Sequence, residues 1–409
     1  MPNPNQTQPQ SAQLTPAQQA AQLNLAARQA IKNTSVKMMQ PLYQQTVVPA
    51  NTPVLTVQPR NVGLLLGFWV MVQHNVNNQS TVSLNLTDFG PMNALANIQF
   101  NDFNNTTRVQ TTGWHVGLIN SVRHRRPTGT ALVRTTGFDS PIDFGSNFSL
   151  ANGGGTISAP ASIASLSAAN VTMWYWVPLA YSDDDLRGSI YANVVNATSQ
   201  LILSFPAQTQ AFVQNGADTT NAMYVGAAAG SVSAVAITSS QVQVFQYYYD
   251  QLPISKSGVL LPVTDLATVY ELKNTLQNSV QANQDFGYQY ANFRNFLSTV
   301  VVWNNNGTSG RVGGTDVNYW SLQAANTTNI WKKTPALLAN EFRNFFQTDL
   351  PPGTYYFGSR QKPIVTTQYG NMQLILNASI ATAGNYQLVG VEDFALIQTL
   401  SMAGSLPTS

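Results

Sequence analysis

Histidine, cysteine and paired carboxylates carry most metal and hydrolytic chemistry, and this 409-residue chain has three histidines and no cysteine. The absence of thiols removes disulfides, thiolate ligands and thiol nucleophiles together. His74, His115 and His124 show neither HxH nor HExxH spacing, so no transition-metal site is expected. Asp183, Asp184 and Asp185 are adjacent, without the alternate spacing or the glycine of a calcium loop. They read instead as the acidic first turn of a helix capped by Ser182. Arg123, His124, Arg125 and Arg126 form the densest basic cluster. With no flanking aromatics the cluster is a poor nucleic-acid signal, and Arg123, Arg125 and Arg126 are expected to meet carboxylates of another subunit. The segment Gly310-Arg-Val-Gly-Gly-Thr315 lacks the Gly-Lys-Ser/Thr ending of a phosphate loop and reads as a turn.

Trp174 and Trp176, with Tyr175 between them, have the composition of a sugar platform. The preferred reading places the two indoles on opposite faces of a strand, one as a core anchor and one at an interface. No Gly-x-Ser-x-Gly occurs. A glycoside hydrolase needs only two carboxylates, and 17 acidic residues are present, but nothing marks any pair. No catalytic residue and no cofactor are expected.

The elements that carry these residues read as two β blocks. Charged residues are 9% of the chain, against about 25% in an average soluble domain, and neutral Asn, Gln, Ser and Thr replace them. The formal net charge of +2 is too small for a general nucleic-acid binder. Arg28, Lys32, Lys37 and Arg60 all precede the first acidic residue, Asp88, so a basic N-terminal segment is expected to face an anionic surface. Residues 1–13 read as a disordered tip without the apolar core of a signal peptide, and the longest apolar run, Val62 to Val72, is too short to span a bilayer. Thr15 as N-cap, Pro16 at the first position and Gln18 then open a helix bounded by Pro41. These residues, 1–46, form an N-terminal arm.

Strand periodicity dominates residues 47–249 and returns over 285–409, where Thr334 and Pro335 open one inserted helix carrying Leu338, Phe342, Phe345 and Phe346. Residues 250–284 read as a connector with a short helix from Asp265 through Tyr270 and Leu276. The Ser/Ala-rich stretch 149–170 reads as a long loop.

Several strings taken in order resemble the major capsid protein of tectiviruses, icosahedral phages with a membrane inside the shell. They are Leu14-Thr-Pro-Ala-Gln-Gln-Ala-Ala21, Leu86-Thr-Asp-Phe-Gly-Pro91, Gly113-Trp-His115, Met173-Trp-Tyr-Trp-Val-Pro-Leu-Ala-Tyr-Ser182, Asp250-Gln-Leu-Pro253, Gln289-Tyr-Ala-Asn292, Gly314-Thr-Asp316 and Gln368-Tyr-Gly-Asn371. The resemblance implies an all-β double jelly roll: two eight-stranded β-sandwiches in one chain with an N-terminal helical arm, related to the adenovirus hexon. It implies pseudo-hexagonal homotrimers tiling a shell around a lipid membrane, with the arm beneath the trimer. Arg28, Lys32 and Lys37 are the candidate membrane-facing residues. The implied partners are further copies of the chain, the inner membrane, and minor capsid, vertex and cement proteins, without direct nucleic acid. The implied location is the virion shell after synthesis in the host cytoplasm. A carbohydrate-binding, adhesin-like β protein is the alternative suggested by the aromatic content and long loops.

Overall fold

The structure, a computed structural model, describes residues 16–123, 159–181, 186–194, 197–253, 268–280, 283–292, 294–304, 317–324, 328–346, 350, 353–358, 364–366, 371–379 and 385–396. Strands are numbered in chain order. The first sheet runs β1 (Val36–Val47), β13 (Val235–Asp250), β3 (Leu64–Asn78), β8 (Ser167–Pro178), with β9 (Ile190–Tyr191) beside β3. The second runs β19 (Thr354–Gly358), β16 (Arg294–Asn304), β22 (Asn385–Leu396), β14 (Thr268–Val280), β6 (Thr107–Thr111), β5 (Asn97–Asn101), β10 (Gln200–Ser204), β2 (Val54–Val57), with β20 (Ile364–Val365) beside β16. A small sheet joins β11 (Phe212–Val213), β12 (Tyr224–Gly226), β4 (Leu84–Leu86) and β7 (Ser162–Ile163). The last holds β15 (Asp285–Gln289), β21 (Gln373–Ala378), β17 (Val317–Ala324) and β18 (Thr328–Lys333).

Period-two burial makes these sheets into two sandwiches. Along β3, Phe68, Val70, Val72, His74 and Val76 are fully buried. They share a core with Val57, Ile98, Phe100, Leu201 and Leu203 of the facing sheet, and the Phe68 and Phe100 rings meet 5.3 Å apart. In the second sandwich Trp320 is the centre, with Tyr355 and Phe357 rings each 5.0 Å away. The fold is therefore the expected double jelly roll, as open sandwiches rather than closed barrels. The rolls also pack on each other: Tyr270, Leu272, Leu297, Val300 and Val302 of the second join the cluster of the first, while Trp320 and its neighbours form a core of their own. The nine-stranded sheet crosses the boundary through parallel pairing of β6 with β14, Val109 opposite Leu272 and Gln110 opposite Lys273.

Four local expectations are corrected. The helix opened at Pro16 ends at Thr34, not near Pro41. The weak helix formers Asn33, Thr34 and Ser35 end it, and the chain turns into β1, paired along β13 from Val36 to Val47. Pro41 sits in that strand, where an edge position tolerates the missing N–H. The expected connector helix is strand: β14 spans Thr268–Val280 and pairs β22 along its length. Within the described part of the Ser/Ala-rich stretch, Ser162–Ile163 and the residues from Ser167 are strands.

Trp174 and Trp176 lie on one face, because residues two apart on a strand do. Tyr175 is the inward residue. Trp176 meets Trp69 at 5.0 Å and Trp174 stacks on Phe245 at 6.3 Å, while the fully buried Tyr175 hydroxyl donates to Met92 O (2.7 Å) and accepts from Leu95 N–H (3.1 Å). Tyr175→Phe removes both bonds around the 3-10 turn Gly90–Ala94. It is expected to cost about 1–3 kcal/mol by urea unfolding; an unchanged midpoint would show that the hydroxyl stabilises nothing.

Among the described residues two α-helices have no counterpart in the sequence expectations, the single turn Gln208–Ala211 and a longer one. Gly113–Arg123 is helical inside the first strand block. Trp114, His115, Val116, Leu118, Ile119 and Asn120 are all buried, so the helix is buried around its circumference and shows little amphipathic period. A Cβ on Gly113 would stand 2.4 Å from both Leu95 O and Met92 O.

Candidate assembly surfaces

The described residues hold no cluster of three or more His, Cys, Asp or Glu side chains able to bind a metal. His74 and His115 are fully buried. The His74 Nε2–H donates to Ala94 O at 2.7 Å, which leaves Nδ1 to accept from the Ser240 hydroxyl at 2.6 Å. Burial lowers its pKa to about 4 against the opposing pull of the Ala94 carbonyl. Several charged side chains are spent inside the chain: Asp102 on Arg108, Glu271 on Arg294 and Lys273, Glu341 on Lys333. The two tryptophans form no sugar platform, since Trp174 is 3% and Trp176 7% exposed.

Surfaces remain, and one lies on the arm. Its helix Pro16–Thr34 docks through Ile31, 1% exposed, and Ala27 onto Leu64, Leu66, Trp176, Ala180, Leu186 and Tyr249. This explains how Trp176 is buried on the outer face of its sheet. Beyond that contact Leu25, Val36, Met38 and Met39 are 40–53% exposed. Among the described residues β1 is also a terminal strand of the first sheet, with backbone donors and acceptors open on one side. A bulge between Pro41 and Tyr43 breaks its regularity. Further exposed apolar residues, Val54 on β2 and Ile330 on β18, also sit on terminal strands. Exposed apolar side chains along sheet edges suit protein contacts rather than a small-molecule pocket.

The basic candidates distribute as follows. Lys32 is exposed on the last turn of the arm helix. Lys37 is exposed on β1, with Nζ 5.5 Å above the Tyr249 ring. Arg28 lies on the same helix as Lys32, its side chain outside the described residues. Arg123 ends the helix Gly113–Arg123; Arg125 and Arg126 lie outside the described residues, as do Thr15, Ser182–Asp185 and residues 310–315. Among the described residues, no helix is long and apolar enough to cross a membrane. Sequence reasoning missed β1 as an exposed edge; the tyrosine and valines of Val36–Val47 were its only signal, and Pro41 masked it.

Two family models cover almost the entire chain: P3 major capsid protein N-terminal over residues 5–252 and P3 major capsid protein C-terminal over residues 267–408. The curated Major capsid protein P3 of Enterobacteria phage PRD1 is 38% identical over 405 residues, covering 97% of this chain and 99% of that one. Among solved structures, the atomic structure of Sulfolobus Turreted Icosahedral Virus contains a chain with TM-score 0.60 and 13% identity, covering 91% of this chain and 94% of that one. PBCV-1 VP54, fitted into a reconstruction of the virophage Sputnik, gives 0.51 at 10% identity, covering 88% of this chain and 94% of that one. At such identities these likenesses speak for the fold alone.

Proposed function

The chain belongs to the P3 major capsid protein family, and on that premise we propose that it builds an icosahedral phage shell as pseudo-hexagonal homotrimers around an inner membrane. It is a major capsid protein, and its place is the virion. The observation that carries the trimer is the joining of two sandwiches in one chain by a sheet that crosses between them and an apolar seam. Three such chains present six similar lobes, which pack as a hexagon. Few charges limit like-charge contacts between copies, which are costly when they face each other.

In this reading the protein catalyses nothing, is made in the host cytoplasm, and meets minor capsid, vertex and cement proteins at its edges. The chain divides, on the same reading, into arm (1–46), first roll (47–249), connector (250–284) and second roll (285–409), with β1 of the arm completing the sheet of the first roll and β14 of the connector that of the second. The arm's cations, Arg28, Lys32 and Lys37, face anionic lipid while Ile31 holds the helix to the first roll. Each is worth about 1 kcal/mol at an anionic surface, so binding becomes effective only through many copies. Arg123, Arg125 and Arg126 serve contacts between subunits.

Light-scattering mass is expected to give a trimer that survives dilution, as an obligate interface of roughly 2,000–5,000 Å² does. Those trimers are expected to sediment with anionic but not neutral liposomes, with loss of binding at high salt and in the variant Arg28→Gln/Lys32→Gln/Lys37→Gln. Folded monomers at micromolar concentration would overturn the trimer. A triple variant that dissociates to monomers would make the arm a clamp between subunits instead of a membrane contact.

A further inference from the structure

We infer that His115 and Gly390 form a positioning contact that sets how the two jelly rolls sit against each other, and that assembly depends on that placement. The β6–β14 ladder joining the rolls has only two residue pairs, and apolar packing beside it is non-directional. A directional chain of hydrogen bonds supplements both. The Thr111 hydroxyl donates to Asn274 Oδ1 at 2.7 Å, and Asn274 Nδ2 donates to Thr112 Oγ1 at 3.0 Å. With its proton given to Asn274, Thr111 is left to accept from His115 Nδ1–H, 2.7 Å away.

That tautomer leaves His115 Nε2 as a bare lone pair, and among the described residues it has no hydrogen-bond partner. What stands there is Gly390. On β22 it lies opposite Asn274 of β14 and opposite Val300 of β16, so it occupies the interior of the second roll's sheet. Glycine weakens such a position unless something approaches closely. Here the imidazole does: a Cβ at 390 would stand 2.5 Å from Nε2 and 2.6 Å from Cδ2. His115 of the first roll thus seats in a notch that exists only because residue 390 has no side chain, while Asn274 beside the notch holds the threonines. A well-packed core with a polar clamp has one seating, not a range of them.

The absence of native cysteine permits a clean distance measurement. Ala228→Cys in the first roll and Asn329→Cys in the second, both exposed, carry spin labels in the full-length chain. Gly390→Ala is expected to shift or broaden the distance between the labels and to lower trimer yield roughly tenfold, the scale of overpacking a rigid core. Adding His115→Ala, which empties the space the methyl needs, is expected to restore both the distance and the trimer. Asn274→Ala is expected to broaden the distribution with Gly390 intact. Should Gly390→Ala fail to accumulate, recovery of folded protein in the double variant decides the same question. An unchanged distance in Gly390→Ala, or a defect that His115→Ala does not relieve, overturns the inference. The assembly readout rests on the trimer reading; the label distance does not, so a wild type that is not trimeric would refute that reading while leaving this one to the distance.

Discussion

Stability of this protein is expected to fall by roughly 6 kcal/mol between pH 7 and pH 4, chiefly through two histidines. Burial lowers the pKa of His74 to about 4 and that of His115 to about 3, in the second case against the opposing pull of the nearby Asn274 side chain. In the unfolded chain both titrate near 6.5. Both folded values are depressed, so the unfolded state binds more protons between pH 6.5 and 4. Stability is therefore full above about pH 6.5 and is lost as pH falls toward the folded values, at about 1.4 kcal/mol per unit and per histidine. The structure gives the cause: protonation would put a positive charge on His74 inside a fully buried core, and protonated His115 would aim a donor at Gly390, where no acceptor stands among the described residues. Urea unfolding at one protein concentration across this pH range measures the loss, and holding the concentration constant fixes the mass-action contribution of subunit association. In the native protein two imidazole signals should stay unprotonated at pH 5. A flat stability profile, or imidazoles titrating near 6.5, would show that water reaches both rings.

Arg108→Met is expected to cost about 3–5 kcal/mol, the penalty for stranding a buried charge. Arg108 and Asp102 have side chains 8% and 5% exposed and meet at 2.7 Å. The carboxylate also accepts Asn104 and Thr106 N–H at 2.9 and 3.0 Å, closing the turn between β5 and β6. Arg108 in turn donates to Gly188 O at 3.3 Å, and a Cβ on Gly188 would stand 2.5 Å from that of Tyr270. Removing the guanidinium thus loosens the turn, the Gly188 backbone and the seat of Tyr270 together. Asp102→Asn/Arg108→Met should recover part of the loss, because no charge is then left unpaired. A single-variant cost below about 1 kcal/mol, typical of solvated surface pairs, would mean that the pair is hydrated in solution.

Local pattern determined a good deal of this protein. Pro16 and Pro335 open helices where the sequence places them, and β2, β10 and β19 fall inside the two blocks of strand periodicity. Strand blocks separated by proline-marked turns imply a doubled β architecture, because period-two alternation is written in neighbouring residues. The ordered strings that resemble tectivirus capsid proteins carried the family. Only the tertiary structure decided the rest. Gly113–Arg123 is a helix because a core surrounds it on all sides, which removes the amphipathic signal. Val36–Val47 is a strand because β13 pairs with it from some 200 residues away in sequence. His115, read from sequence as one of three isolated histidines, acquires its place from Asn274 and Gly390, and His74 from Ser240. Contacts between residues so far apart in the chain have no local periodicity to announce them; burial assigns the role after the fold has closed.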